Sequence, residues 1–210
     1  MKDMLAVAGA VLLAIAPGHA RAADTDAAAG AVAIEAATLS PNRYVWADSA
    51  SNEPLRVVVS IPDQKAYVYR GKTLVAASTV STGKDGKETP VGAFTILQKS
   101  ETHKSNLYDA APMPFMQRLT WDGVAIHAGN NPGFPASHGC IRVPMAFAKR
   151  LFAATSVGTP VVVTDESLGD GTTMPSIEDV PTYDTPQASP ETIAETAAAN
   201  AGQLEQIAGR

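Results

Sequence analysis

From Leu55 onward the chain alternates short apolar, β-branched runs with polar turns. Arg56-Val57-Val58-Val59-Ser60-Ile61 is one run, Ala66-Tyr67-Val68-Tyr69 a second, and Leu74-Val75-Ala76-Ala77-Ser78-Thr79-Val80 a third. Pro62-Asp63-Gln64-Lys65 and Arg70-Gly71-Lys72 separate them. Runs this short, rich in Val and Tyr and bounded by turn residues, predict three strands of a meander. Ser81 to Pro90 is polar and reads as a loop, after which Val91 to Leu97 returns to strand. Ser100 to Met116 has no clean period and reads as a long connection of the kind used for binding loops or lids. Arg118-Leu119-Thr120-Trp121 and Val124-Ala125-Ile126-His127 flank Asp122-Gly123, a strong hairpin turn, which puts His127 at a strand end. Ala128 to Gly139 is a Gly, Asn and Pro loop leading to Cys140. Pro144 to Thr155 has helical spacing, with Pro144 suited to a first turn, and Thr159 to Asp165 is a last strand. Strand signals outnumber helical ones, and Cys140 lies on a loop before a helix.

The two ends read differently. Lys2, the apolar run Met4 to Ala16, and the small-x-small site Ala20-Arg21-Ala22 have the layout of a cleaved secretory signal over residues 1–22. Residues 23–54 open with an Ala/Gly-rich stretch and are expected to form a flexible leader that becomes ordered near Tyr44. Residues 55–165 form the expected catalytic unit. Residues 166–210 carry many acids against the single base Arg210, with Pro175, Pro181, Pro186 and Pro190, and are expected to be a largely disordered tail. Within that tail Ser189-Pro190-Glu191 could cap a short helix bearing Ile193, Ala197, Leu204 and Ala208.

Composition narrows the function. A length of 210 residues and 45% hydrophobic content fit one globular domain with flanks. A net charge of -5 without a basic stripe sets nucleic acid aside as a partner. Export is expected to bring the chain into an oxidising compartment, the periplasm, yet Cys140 is the only cysteine and has no disulfide partner within the chain.

Cys140 lies in Ser137-His138-Gly139-Cys140-Ile141-Arg142, thirteen positions after His127. A thiol becomes a strong nucleophile when an imidazole can take its proton, which points to covalent acyl chemistry. His127, on a rigid strand end, is the better candidate base; His138, two residues from the thiol, is harder to aim and is assigned a role in shaping the loop or facing substrate. Gly139 leaves room for an incoming carbonyl, and the amides around Gly139 and Cys140 can face the oxygen that gains charge. An inert buried cysteine and a zinc site built from His127, His138 and Cys140 are the alternatives. The spacing matches no paired-cysteine zinc signature, and neither a metal nor another cofactor is expected.

Ile126-His127-Ala128-Gly129, Ala136-Ser137-His138-Gly139-Cys140-Ile141-Arg142 and Thr89-Pro90-Val91-Gly92-Ala93-Phe94 together resemble the L,D-transpeptidase (YkuD-type) catalytic domain of bacterial cell-wall enzymes. The resemblance spans about Leu55 to Asp165, with three motifs in the family's order, and it implies a mainly β, YkuD-like fold of mixed sheets with one or two packed helices. It implies Cys140 as nucleophile, His127 as base, and Ser137, His138 and Gly139 shaping the nucleophile loop and oxyanion site. It also implies peptidoglycan stem peptides as substrate, with an amine accepting the acyl group from a Cys140 thioester. That amine could belong to another stem peptide or to a wall-anchored protein. Ala128 stands where many members carry glycine, so any hydrogen bond orienting His127 should come from backbone or a more distant group. Arg142, where members have arginine or asparagine, is a candidate anchor for a substrate carboxylate, with a purely structural role as the alternative. A hydrolase on the same scaffold and a non-catalytic wall-binding protein are the competing functions, and the tail's partner is open.

Overall fold

The computed structural model describes residues 18–105, 110–175 and 183. The chain runs through helix α1 (Gly18–Ala37), strands β1 (Tyr44–Trp46), β2 (Leu55–Ser60), β3 (Lys65–Arg70), β4 (Thr73–Thr79), β5 (Gly92–Thr95), β6 (Gln98–Lys104), β7 (Pro112–Arg118), β8 (Ala125–Ala128) and β9 (Ile141–Val143), helix α2 (Met145–Ala154) and strand β10 (Pro160–Thr164). Two sheets result, one of six strands in the order β1-β4-β3-β2-β10-β5 and one of four in the order β6-β7-β8-β9. The mainly β class with mixed sheets and few helices is therefore the observed one.

The meander of β2, β3 and β4 is antiparallel, as the alternation of runs and turns requires. Strand β10 then lies parallel to β2, with Val161 opposite Val57 and Val163 opposite Val59. Both strands are buried on both faces, which explains their unbroken valine runs. Between the sheets, Val57, Val59, Val68, Ile126, Ile141, Phe147, Leu151, Val161 and Val163 share one core. Helix α2 adds Phe147, Ala148 and Leu151 to it. Lys99 caps the end of that helix by donating to the Phe152 and Thr155 carbonyls at 2.6 and 2.7 Å. Burial pulls the Lys99 amine below its ordinary value, while the carbonyls at the helix C-terminus favour its charge.

Three expectations need correction. The leader is not flexible throughout: α1 covers Gly18–Ala37, and Val32, Ala33 and Ala36 are buried in a second cluster with Tyr67, Tyr69, Leu74 and Ala77. Alanine is the best helix former, and its small side chain lets the helix lie close to the sheet, so an Ala-rich stretch beside an apolar sheet face orders as helix. The expected signal boundary at residues 22 and 23 falls inside this helix. The Ser100 to Met116 stretch is not an irregular lid. Most of it forms the antiparallel pair β6 and β7, with Ser100 opposite Met116 and Lys104 opposite Pro112, although residues 106–109 are outside the described set.

The third correction concerns the start of the tail. Asp63 accepts hydrogen bonds from the Ser167 hydroxyl (2.6 Å) and the Leu168 amide (2.7 Å). Ser60 donates to the Glu166 carbonyl, Tyr67 to that of Gly169 and Tyr69 to that of Gly171, at 2.7, 2.8 and 2.7 Å. Burial, first among the causes, holds both phenols well above their ordinary values, so they remain hydroxyl donors. Gly171 has φ +75, and a Cβ there would lie 2.3 Å from the Tyr67 ring, so only glycine fits under the strap. The short helix expected around Ile193 to Ala208 lies outside the described residues.

This packing sets a stability expectation. Tyr69→Phe removes one buried hydrogen bond, worth about 1 kcal/mol, and should lower Tm by about 2–4 °C in a domain of this size. Truncation after Asp165 should lower Tm further than the point change, whereas truncation after Asp184 should change it little. Calorimetry on the three variants checks this; equal Tm for both truncations would show that the strap contributes nothing.

Candidate active site

Strands β8 and β9 are neighbours and run parallel, with Ile126 opposite Ile141, His127 opposite Arg142 and Ala128 opposite Val143. Successive side chains on a strand point to opposite faces. Ile126, Ala128, Ile141 and Val143 enter the main core, so His127 and Arg142 emerge on the other face. Cys140, two positions before Arg142, shares that face, as does Ala125, two before His127. Consistent with this, Cys140 packs beside Ala125, Met113 and Met116 in a separate apolar cluster. One pairing register thus brings the thiol and the imidazole to one face from the two ends of the Gly/Pro-rich loop.

Both line a cavity of about 660 Å³ with Met113, Asp122, Asn130, His138 and Arg142. Its apolar wall depends on an unusual backbone: Phe115 has φ +55, a conformation bulky residues rarely adopt. The residue breaks the strand alternation, so Met113 and Met116 both reach the Cys140 side while Phe115 packs on Phe152 of α2.

His127 is 7% exposed. Its Nδ1 lies 2.8 Å from the Ala128 carbonyl. A carbonyl only accepts, so Nδ1 carries the proton and Nε2 keeps its lone pair. The hydrogen bond orienting the ring is therefore a backbone one, in agreement with the apolar Ala128 side chain. Burial, ahead of the charges of Arg142 and His103, pushes the imidazole below its ordinary value of 6.5, with the Ala128 contact opposing. Burial also pushes the Cys140 thiol above 9.0, against the Ala125 backbone and the Arg142 and Arg118 guanidinium groups. At neutral pH the pair therefore rests as thiol and neutral imidazole, and the thiol donates to the Gly123 carbonyl at 3.4 Å.

The loop that carries Cys140 is tied at several points. Ser137 is fully buried; its hydroxyl donates to the Cys140 carbonyl (2.5 Å) and accepts the Gly139 N–H (3.1 Å). The Gly139 amide is thus engaged within the loop, which corrects the expectation that it faces the oxyanion. Gly139 has φ +112, the left-handed side of conformational space that glycine tolerates. Thr89 donates to the Gly139 carbonyl and accepts the Gly83 N–H, both at 2.9 Å. That gives Thr89-Pro90-Val91-Gly92, which sequence reasoning used only as a marker of resemblance, a structural role. His138 is exposed at the cavity rim. Arg142 donates to the Ala136 carbonyl at 3.3 Å and its stem covers Gly129, where a Cβ would come within 3.1 Å of Cγ. It therefore braces the loop as well as lining the cavity.

Sequence reasoning missed Met113, Met116, Asp122, Asn130 and Arg118. Arg118 lies opposite Ala125 on β8, hence on the Cys140 face, and donates from Nε to Gln98 at 2.8 Å. Only the Asp122-Gly123 turn carried a local signal. Among the described residues no group of three His, Cys, Asp or Glu side chains is placed to hold a metal ion.

The resting ionisation can be read directly. Alkylation of Cys140 by iodoacetamide should rise with pH to a midpoint above 9.0, because only the thiolate reacts and burial disfavours it. The acid limb of kcat/KM should lie below 6.5, since burial keeps His127 unprotonated to lower pH than usual. An alkylation plateau reached below pH 7 would instead indicate a thiolate–imidazolium pair.

L,D-transpeptidase 1 of Mycobacterium tuberculosis is 29% identical over 123 residues, covering 50% of this chain and 49% of that protein. This chain thus spans about half the length of that curated relative. Among solved structures, an L,D-transpeptidase from Stackebrandtia nassauensis is 25% identical, with a TM-score of 0.50 and coverage of 58% of this chain and 60% of that one. An L,D-transpeptidase in complex with imipenem is 27% identical, also with a TM-score of 0.50, covering 53% and 59%. The YkuD family profile, that of the L,D-transpeptidase catalytic domain, matches residues 54–163, the stretch holding both sheets' central strands and the cavity, and the chain belongs to this family.

Proposed function

We propose that this protein is an exported, periplasmic L,D-transpeptidase that acts on peptidoglycan stem peptides through a thioester on Cys140. The observation that carries this reading is the placement of Cys140 and His127 on one face of parallel neighbours, both lining the cavity, with Nδ1 of His127 held by the Ala128 carbonyl. Membership of the family supports the activity, and the apolar run before Ala20-Arg21-Ala22 supports export.

In the first half-reaction Sγ attacks the carbonyl carbon of the bond between a diamino acid and a terminal D-alanine, and its proton passes to Nε2 of His127. The Gly139 N–H is already engaged by Ser137, so we assign the Cys140 N–H to the developing oxyanion. Collapse breaks the C–N bond, and the departing amine of D-alanine takes the proton from His127. An amine then attacks the thioester and gives its proton to His127; the C–S bond breaks as the new amide forms, and His127 returns the proton to the Cys140 sulfur. Neutral reactants at rest suit this sequence, since no buried charge pair must be kept between turnovers. Arg142, already braced on Ala136, presents a cation to the cavity that can hold a stem-peptide carboxylate.

Incubation with defined muropeptides and mass spectrometry of the products tests the reading. Cys140→Ala should abolish product and remove the mass adduct that a carbapenem leaves on the wild-type chain. His127→Ala should lower kcat/KM about a hundredfold or more and cost much more than His138→Ala. Transfer products support an L,D-transpeptidase, whereas free tripeptide alone would make the protein a hydrolase on the same scaffold.

Arg142 has its own test. Arg142→Lys keeps the charge but loses the planar fork, so it should weaken donor use about tenfold, and amidating the donor's side-chain carboxylate should abolish that difference. An equal loss with both donors would make Arg142 a brace only.

A further inference from the structure

Gln64 ends the turn between β2 and β3, away from the cavity, in a backbone conformation that does not suit it. Its φ is +48, a region that costs a residue with a Cβ about 1 kcal/mol or more. Turn sterics alone favour glycine or asparagine there. The glutamine side chain is nonetheless buried, and its amide is fully used. Nε2 donates to the Thr82 hydroxyl at 2.7 Å and the Ile61 carbonyl at 2.8 Å, while Oε1 accepts the Thr82 N–H at 3.1 Å. Its backbone carbonyl accepts the Val80 N–H at 2.8 Å, so Gln64 grips the strand exit from Val80 to Thr82 at three points.

Thr82 passes this grip to the nucleophile loop. Its carbonyl accepts the N–H groups of both Ala136 and Ser137, each at 3.0 Å. Ser137 in turn holds Cys140 and Gly139 through its hydroxyl. Gln64, Thr82 and Ser137 are buried, so each hydrogen bond is shielded from competing water and each broken one leaves an unpaired polar group.

We propose that Gln64 is a positioning residue for the Cys140 nucleophile, acting through the two hydrogen bonds of its side-chain amide to Thr82. The proposal rests on reading Cys140 as the nucleophile. The relay fixes the loop against the six-stranded sheet, and the strained turn is tolerated because the Gln64 side chain reaches both the amide and the hydroxyl of Thr82. A misplacement of the thiol of about 1 Å costs roughly a hundredfold in rate, which makes the effect visible in kcat.

A double-mutant cycle on the full chain tests this, using Gln64→Leu, Thr82→Val and the double variant, at a temperature well below unfolding. Thr82→Val removes only the hydroxyl from a residue of the same shape. Each single variant should lower kcat and the rate of carbapenem acylation about 10- to 100-fold with KM within about threefold. The double variant should lose no more than the worse single one, because both act through one link. A merely structural role would lower Tm and leave kcat of the folded protein unchanged; that result, a change confined to KM, or multiplicative losses would overturn the proposal. Should Gln64→Leu fail to fold, Thr82→Val carries the same expectation, and wild-type kcat in it overturns the proposal. Cys140→Ala, measured alongside, separates the two levels of the argument. Turnover by that variant removes the nucleophile reading and this proposal with it, whereas an inactive Cys140→Ala beside a fully active Gln64→Leu removes this proposal alone.

Discussion

The parallel pairing of β8 with β9 is the constraint on which the site depends. Because side chains alternate along both strands, one register sends Ile126, Ala128, Ile141 and Val143 into the core and His127, Cys140 and Arg142 into the cavity. A shift by one residue would exchange the two sets, placing an imidazole and a guanidinium in the core and aliphatic side chains in the cavity. Each buried aliphatic side chain is worth roughly 1.5–3 kcal/mol, so the hydrophobic core itself holds Cys140 and His127 in place. Folding and site assembly are one event here.

Parallel pairing requires a long connection, and that connection is also the loop that delivers Cys140. Its irregular backbone has no ladder of its own, so its hydrogen bonds run to neighbouring segments: Ala136 and Ser137 to Thr82, Lys84 to Ser137, and Arg142 to Ser81 in both directions. Asn131 donates to the Thr79 carbonyl at 2.8 Å, anchoring the start of the same loop. The polar stretch Ser81 to Pro90 is thus a splint for the loop that carries the thiol. This accounts for its polar composition, since a splint works through backbone and hydroxyl groups.

Burial sets the chemistry of the pair. The same low-dielectric surroundings that push the thiol up push the imidazole down, and the two guanidinium groups only partly offset the first effect. The proton therefore rests on sulfur at neutral pH. A resting thiol is less exposed to oxidation than a resting thiolate.

Much of this was legible in the sequence. Strand and turn signals located the meander, the hairpin before His127 and helix α2, because those are local properties of side-chain period and turn chemistry. The isolated cysteine and its histidines identified the candidate chemistry, because few residue types can perform it. The leader and the Ser100 to Met116 stretch were misjudged for a common reason: each takes its order from a surface it packs on or a strand it pairs with, and no local pattern records that partner. The strap from Glu166 to Gly171 is held by Asp63, Tyr67 and Tyr69, residues about a hundred positions away. Likewise Met113, Arg118 and Gln64 acquire roles only through register, a strained φ or a hydrogen bond across the fold. Sequence determined the meander, helix α2 and the reactive groups, since these are written in neighbouring residues; tertiary structure alone decided which faces those groups share, because that depends on pairing between segments that are distant along the chain.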